Sequence, residues 1–164
     1  MKISHRSLGS FLRIGLLALL PIFSGCGPLE RVAIHASDTP VVAAVDLSTF
    51  AQFATLVTAE ESFVVTVTDP TCTCTTEFMP HYQQYLTTNN IPGYTLRYSL
   101  VLYESEKYGL PVVDSTSPIL VIYETGSLKY VYTYESGKRQ HNRVFTSYDD
   151  LARYLDDRLE IIVG

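Results

Sequence analysis

The chain has 164 residues, with 12 Lys and Arg against 17 Asp and Glu and a formal net charge of −5 at pH 7. Phosphate binding needs a basic footprint and none is present, which excludes nucleic acid as a partner. The 120 or so residues after position 40 are enough for one core and too few for two typical domains, and no internal repeat is visible.

Lys2, His5, Arg6 and Arg13 make a basic start, and residues 14–23 form a short apolar run. A bilayer takes about 20 apolar residues to cross, so this run reads as the core of an export signal. It closes on Phe23-Ser24-Gly25-Cys26, which resembles a bacterial lipobox with Phe23 in place of the usual Leu. The resemblance implies cleavage before Cys26, lipidation of that cysteine (palmitate among the acyl groups) and anchoring at the extracytoplasmic face of the cell membrane. The mature chain would keep 9 Lys and Arg against 17 Asp and Glu, a net −8. Gly27, Pro28, Ser37, Asp38, Thr39 and Pro40, without sustained periodicity, read as a flexible tether over residues 26–40. The predicted organisation is therefore a signal peptide over 1–25, a lipidated Cys and tether over 26–40, and one domain over 41–164.

Within that domain, residues 41–45 suggest a short strand. A helix then starts near Asp46 or Ser48 as N-cap and places Phe50, Phe53, Ala54 and Val57 on one face. Residues 63–68 are apolar and β-branched, as in a strand covered on both sides. Asp69-Pro70 ends it. A helix follows over about 74–86, with Pro80 expected to kink it. Pro92-Gly93 signals a turn, residues 94–103 a strand, and 105–116 an irregular stretch broken by Gly109 and Pro111. Residues 119–124, a turn at Gly126, and residues 128–134 read as a hairpin. Ser147 caps a last helix with Leu151, Tyr154, Leu155 and Leu159 along one side. Strands mixed with helices in this order imply helices on both faces of a mixed central sheet.

Cys72-Thr73-Cys74 follows the apolar strand and opens the second helix. A thiolate there is stabilised by free N–H groups and the helix dipole. Free cysteine titrates near pH ~8.5, and a helix N-terminus contributes about 0.3–1, at most ~2, kcal/mol, so the helix lowers that value by roughly one unit. No Lys, Arg or His lies close in sequence to add to this, while Asp69 and Glu77 oppose it.

The order of elements and their details resemble thioredoxin. Residues 63–72 (Phe-Val-Val-Thr-Val-Thr-Asp-Pro-Thr-Cys) match the family's central strand and active-site loop without a gap. Pro80 matches the proline of the active-site helix, and Ser117-Pro118-Ile119-Leu120-Val121 the segment with the cis-proline. Thr125-Gly126 matches the hairpin turn, and residues 145–151 the start of the last helix. The resemblance implies a thioredoxin-like α/β fold with Cys72 as nucleophile. It also implies Pro118, in the cis form, shaping a substrate groove in which the Ser117 backbone pairs with an extended peptide.

The departures matter as much. Thr75 stands where the second family cysteine belongs, Thr66 where the buried acid belongs, and Thr71 where the tryptophan belongs. A disulfide between Cys72 and Cys74 would close a small ring, and strain of ~1.4 kcal/mol would raise its potential by about 30 mV. Disulfide donation or isomerisation suits such a pair better than strong reduction.

The expectation is a thiol–disulfide oxidoreductase acting on exported cysteine-containing proteins or peptides. Cys72 forms the mixed disulfide, Cys74 resolves it, and no cofactor or resident metal is required. Two alternatives remain: a non-catalytic thioredoxin-like binding module, and a Cu(I)-handling protein using the two thiolates with His81 as a third ligand. Tyr130, Tyr132 and Tyr134 alternate onto one strand face, which packs under the last helix or serves as a binding surface. His35, His141 and the paired acids look solvated.

Overall fold

A computed structural model describes residues 29–101, 105–110, 118–132, 145 and 147–164. The expected signal peptide, Cys26, Ser117, Tyr134 and His141 lie outside those residues. The first half of the chain runs β1 (Val32–His35), β2 (Val45–Leu47), α1 (Phe50–Thr58), β3 (Phe63–Thr68) and α2 (Thr73–Asn89). The second runs β4 (Gly93–Arg97), α3 (Tyr98–Val101), a 3₁₀ turn at Ser105–Tyr108, β5 (Ile119–Glu124), β6 (Ser127–Tyr132), α4 (Tyr148–Asp156) and β7 (Leu159–Ile162).

Five strands make the central sheet in the order β2-β4-β3-β5-β6. β2, β4 and β3 are parallel, β5 is antiparallel to β3, and β6 returns antiparallel to β5. All six residues of β3 are buried, as its unbroken apolar and β-branched run requires of a strand with layers on both sides. Val64 turns to one core with Phe78, Tyr82, Leu86, Leu151 and Leu155 from α2 and α4. Phe63, Val65 and Val67 turn to the other, with Phe50 and Phe53 of α1. The expected mixed sheet covered by helices on both faces is the observed architecture.

Several boundaries move. Residues 41–44 do not form a strand; the edge strand is β2, which opens at Val45, and Asp46 lies inside it, where its carboxylate accepts from the Thr95 hydroxyl at 3.1 Å. The N-cap of α1 is Thr49, in a capping box with Gln52, and not Asp46 or Ser48. β4 ends at Arg97 and gives way to α3, so the strand expected over 94–103 is half as long. α2 continues through Pro80 to Asn89, longer than predicted, and Asn90 closes it in the left-handed conformation (φ 51°). Ser147 caps α4 as expected, its hydroxyl accepting from the Asp150 N–H at 3.2 Å.

The largest correction concerns both ends of the described chain. Residues 32–35, expected in the tether, form β1, and Leu159, expected on α4, opens β7. The two strands pair in parallel, Val32 with Leu159 through His35 with Ile162. Helix α4 stops at Asp156, where two carboxylates meet the negative end of its dipole, and a β-branched run follows. Val32 and Ile34 face the α2–α4 core and are buried, while Ala33 and His35 face out. Beyond β1, Asn90 holds the chain down: its side-chain amide donates to the Ser37 carbonyl (2.7 Å) and its oxygen accepts from the Val41 N–H (2.8 Å). A tether over 26–40 therefore gives way to an ordered segment from residue 32.

The hairpin between β5 and β6 turns on Thr125 and Gly126, both with positive φ, as a two-residue turn matched to strand twist requires. Tyr130 and Tyr132 are half-buried against the core under α4, and the Tyr132 ring meets Tyr154 edge-on at 5.1 Å. For Tyr130 and Tyr132 the packing alternative is the one observed; Tyr134 lies outside the described residues.

Candidate functional site

β3 ends at the loop that carries the cysteines. Asp69-Pro70-Thr71-Cys72 forms a turn in which the Cys72 N–H donates to the Asp69 carbonyl at 3.0 Å, with proline at the position whose φ it pre-sets. The Asp69 carboxylate accepts from the Thr71 hydroxyl (2.6 Å) and the Thr71 N–H (2.9 Å). Those bonds, the hydroxyl first, hold Asp69 below the usual carboxylate range. Its charge stays within the same four-residue turn as the thiol and works against a thiolate, as its place in the sequence suggests.

Cys72 is the N-cap of α2, and its sulfur occupies the place of a capping oxygen, accepting from the Cys74 N–H at 3.3 Å. Thr73, Cys74 and Thr75 fill the first turn, which holds no acidic residue. Cys72 and Cys74 are joined as a disulfide with Cα atoms 5.2 Å apart. Both are half-buried, and Pro70, Thr71 and Thr73 around them are exposed.

Two of the three departures from the family pattern, Thr66 and Thr75, are buried hydroxyls. Thr66 is fully buried in the middle of β3 and Thr75 is 8% exposed in the first turn of α2. Neither Oγ1 has a hydrogen-bond partner among the described residues. Thr66 lies on the same face of β3 as Val64, which packs against Phe78 and Tyr82 of α2, so both hydroxyls belong to the β3–α2 interface.

Pro118 is buried and immediately precedes β5. Ile119 pairs with Val67, so Pro118 comes level with Thr68 at the same end of the sheet as the cysteines. Among the described residues no peptide bond is cis; the Ser117–Pro118 bond, whose cis form the resemblance implies, involves a residue outside them.

A cation missed by sequence order reaches this end of the sheet. Arg97, the last residue of β4, is the register partner of Thr68, and with Thr68, Asp69, Pro70, Tyr98 and Ser99 it lines a cavity of about 230 Å³ beside the loop. Parallel pairing of two predicted strands was the signal that could have found it. His81 is half-buried on α2, and among the described residues no three His, Cys, Asp or Glu side chains are grouped to hold a metal ion.

No family model matches the sequence, and no curated protein matches it. Solved structures do. A mutant thioredoxin from Halobacterium salinarum superposes with a TM-score of 0.55 at 10% identity, over 77% of this chain and 99% of that one. The chain has the thioredoxin fold. Thioredoxin O1 from Arabidopsis thaliana in its oxidised state gives 0.51 at 12% identity, over 72% and 99% of the two chains. Trxlp from Edwardsiella tarda gives 0.50 at 13%, over 68% and 98%. On this thioredoxin-like fold the Cys72–Cys74 disulfide stands after the central strand and at the start of the helix that follows, the position the sequence resemblance assigned to it.

Proposed function

We propose that the chain is a thiol–disulfide oxidoreductase of the oxidase or isomerase type, held by a lipid on Cys26 at the extracytoplasmic face of a membrane. Its substrates are exported cysteine-containing proteins or peptides. The observation that carries this reading is a solvent-reachable disulfide whose first sulfur caps α2 at the end of the central strand of a thioredoxin-like fold.

The chemistry is thiol–disulfide exchange. A substrate thiolate attacks Cys72 Sγ, the Cys72–Cys74 bond breaks, and Cys74 leaves with the electron pair. A second substrate thiolate attacks the substrate sulfur of the mixed disulfide and releases Cys72 as a thiolate. The substrate has lost two electrons and gained a disulfide; the protein holds two reduced cysteines. The N–H groups of the first turn of α2 stabilise the Cys72 thiolate. The buried Pro118, level with Thr68, forms a wall of the groove, and the Ser117 backbone pairs with the substrate strand.

Single-turnover oxidation of a dithiol peptide tests the reading. Cys72→Ser and Cys74→Ser both abolish it, and Cys74→Ser challenged instead with a disulfide-bonded peptide holds a mixed disulfide on Cys72, formed as the Cys72 thiolate displaces one peptide thiolate. Full activity in Cys72→Ser, or a potential as low as thioredoxin's, overturns it. Labelling by a lipid precursor, lost in Cys26→Ser, tests the anchor. A binding module is the second reading, favoured by Thr66 and Thr75 in place of the family's acid and second cysteine. It predicts capture of a partner that is indifferent to Cys72→Ser.

A further inference from the structure

Thr75 carries a hydroxyl that the oxidised protein does not use. It is the third residue of α2, its side chain is buried, and its Oγ1 has no partner among the described residues, although its N–H donates to the Cys72 carbonyl at 3.1 Å. A buried hydroxyl left without a bond calls for an explanation, because the loss typically costs stability. The side chains of an N-cap and of the third helical residue lie on the same side of the helix end, as at α4, where the Ser147 hydroxyl donates to the Asp150 carboxylate at 2.9 Å; in a capping box each reaches the backbone N–H of the other. Here the N-cap side chain is Cys72 Sγ.

We infer that Thr75 is a built-in donor for the Cys72 thiolate: its Oγ1–H bonds to Cys72 Sγ once the disulfide opens. A disulfide sulfur is a weak acceptor and offers the hydroxyl little. A thiolate is a full negative charge, and a hydrogen bond to an ionised acceptor is about twice as strong as one between neutral groups. The bond therefore stabilises the reduced, ionised state over the oxidised one. It acts in the second exchange step, where Cys72 is the leaving group and takes the electron pair of the mixed disulfide. No proton needs to move, since the hydroxyl donates a bond and keeps its hydrogen. The hydroxyl does part of what a nearby cation would do, in a turn that carries the charge of Asp69. This inference rests on the redox reading for its place in a reaction, while its test does not require turnover.

The test titrates Cys72 by thiolate absorbance in the Cys74→Ser protein, alone and combined with Thr75→Val or Thr75→Ser. Valine keeps the shape and removes the donor; serine keeps the donor. Thr75→Val should raise the Cys72 pKa by about one unit, and Thr75→Ser should leave it near the parent value. With Cys74 restored, and at a pH above both Cys72 pKa values, Thr75→Val should shift the dithiol–disulfide equilibrium about tenfold toward the disulfide. The melting temperature of oxidised Thr75→Val should hold or rise, because no bond is lost in that state. An unchanged Cys72 pKa in Thr75→Val overturns the inference. So does a lower melting temperature of the oxidised variant, which would show the hydroxyl already bonded. If the titration shifts as expected and no dithiol is ever oxidised, the proposed function fails and the thiolate donor stands.

Discussion

At the scale of single residues, what could be read from the sequence depended on whether a role is local. Cys72-Thr73-Cys74 as the opening of α2, Ser147 as the cap of α4 and Thr125-Gly126 as a turn all follow from neighbours within three or four positions. The bonding of Thr66 and Thr75 does not, because an unused hydroxyl is defined by what two elements bring against it. Arg97 was missed for the same reason: it comes beside the cysteine-bearing loop through strand register. Gly126 gives a direct check on the turn. Its φ is +75°, and a Cβ there would press into the Val57 carbonyl oxygen behind it. Gly126→Ala should therefore lower stability by about 1–3 kcal/mol, read as a shift in urea midpoint with an unchanged slope. A midpoint equal to wild type would mean that the turn is not built as described.

The elements themselves divide in the same way. β3, α2, the β5–β6 hairpin and α4 each announce themselves over six or more residues by period, caps and breakers. β1 has four residues in a segment flanked by Gly, Pro, Ser and Asp, and its partner β7 is more than a hundred residues away. Two alternating apolar positions, Val32 and Ile34, are too short a pattern to separate a strand from a linker. Burial is what makes them one: both are at most 1% exposed, against Phe78, Leu151 and Leu155. Ile34→Ala should then cost about 2–5 kcal/mol, as for other buried aliphatic truncations. Removing residues 1–36 should lower the melting temperature, whereas removing residues 1–28 should leave it unchanged. Equal melting temperatures for the two truncated proteins would return residues 32–35 to the status of a tether.

Across the whole molecule, the cores on the two sheet faces share an uncommon reliance on tyrosine. Tyr82 donates to the carbonyls of Val64 (3.1 Å) and Tyr94 (3.2 Å), Tyr85 to the Asp156 carboxylate (2.8 Å), and Tyr123 to the Tyr108 carbonyl (2.7 Å). Burial, foremost, pushes all three phenols well above the ordinary tyrosine value, with the Asp156 charge adding to the effect at Tyr85. The sign of the linkage follows. The folded state keeps these protons when the unfolded chain has begun to lose them, so their contribution is intact below the unfolded value near pH 10. It is lost as pH rises from there toward the folded values. Stability measured in urea should be flat in this respect through neutral pH and fall steeply above about pH 10. Replacing Tyr85 and Tyr123 by phenylalanine should flatten that fall; an equally steep decline would place its cause elsewhere.

The pairing of β1 with β7 also sets a length. With a lipid on Cys26 and a free segment up to residue 40, the domain could stand off as much as about 50 Å from its anchor. Order from Val32 leaves six residue steps, about 20 Å when fully extended. Glu30 shortens even that, since its carboxylate meets Lys129 at 2.7 Å and its carbonyl accepts from the Tyr130 hydroxyl. Were Cys26 lipidated and the disulfide active as proposed, such a molecule would patrol a shell less than one protein diameter deep, exchanging disulfides with chains as they leave the bilayer surface and passing over those that have diffused away.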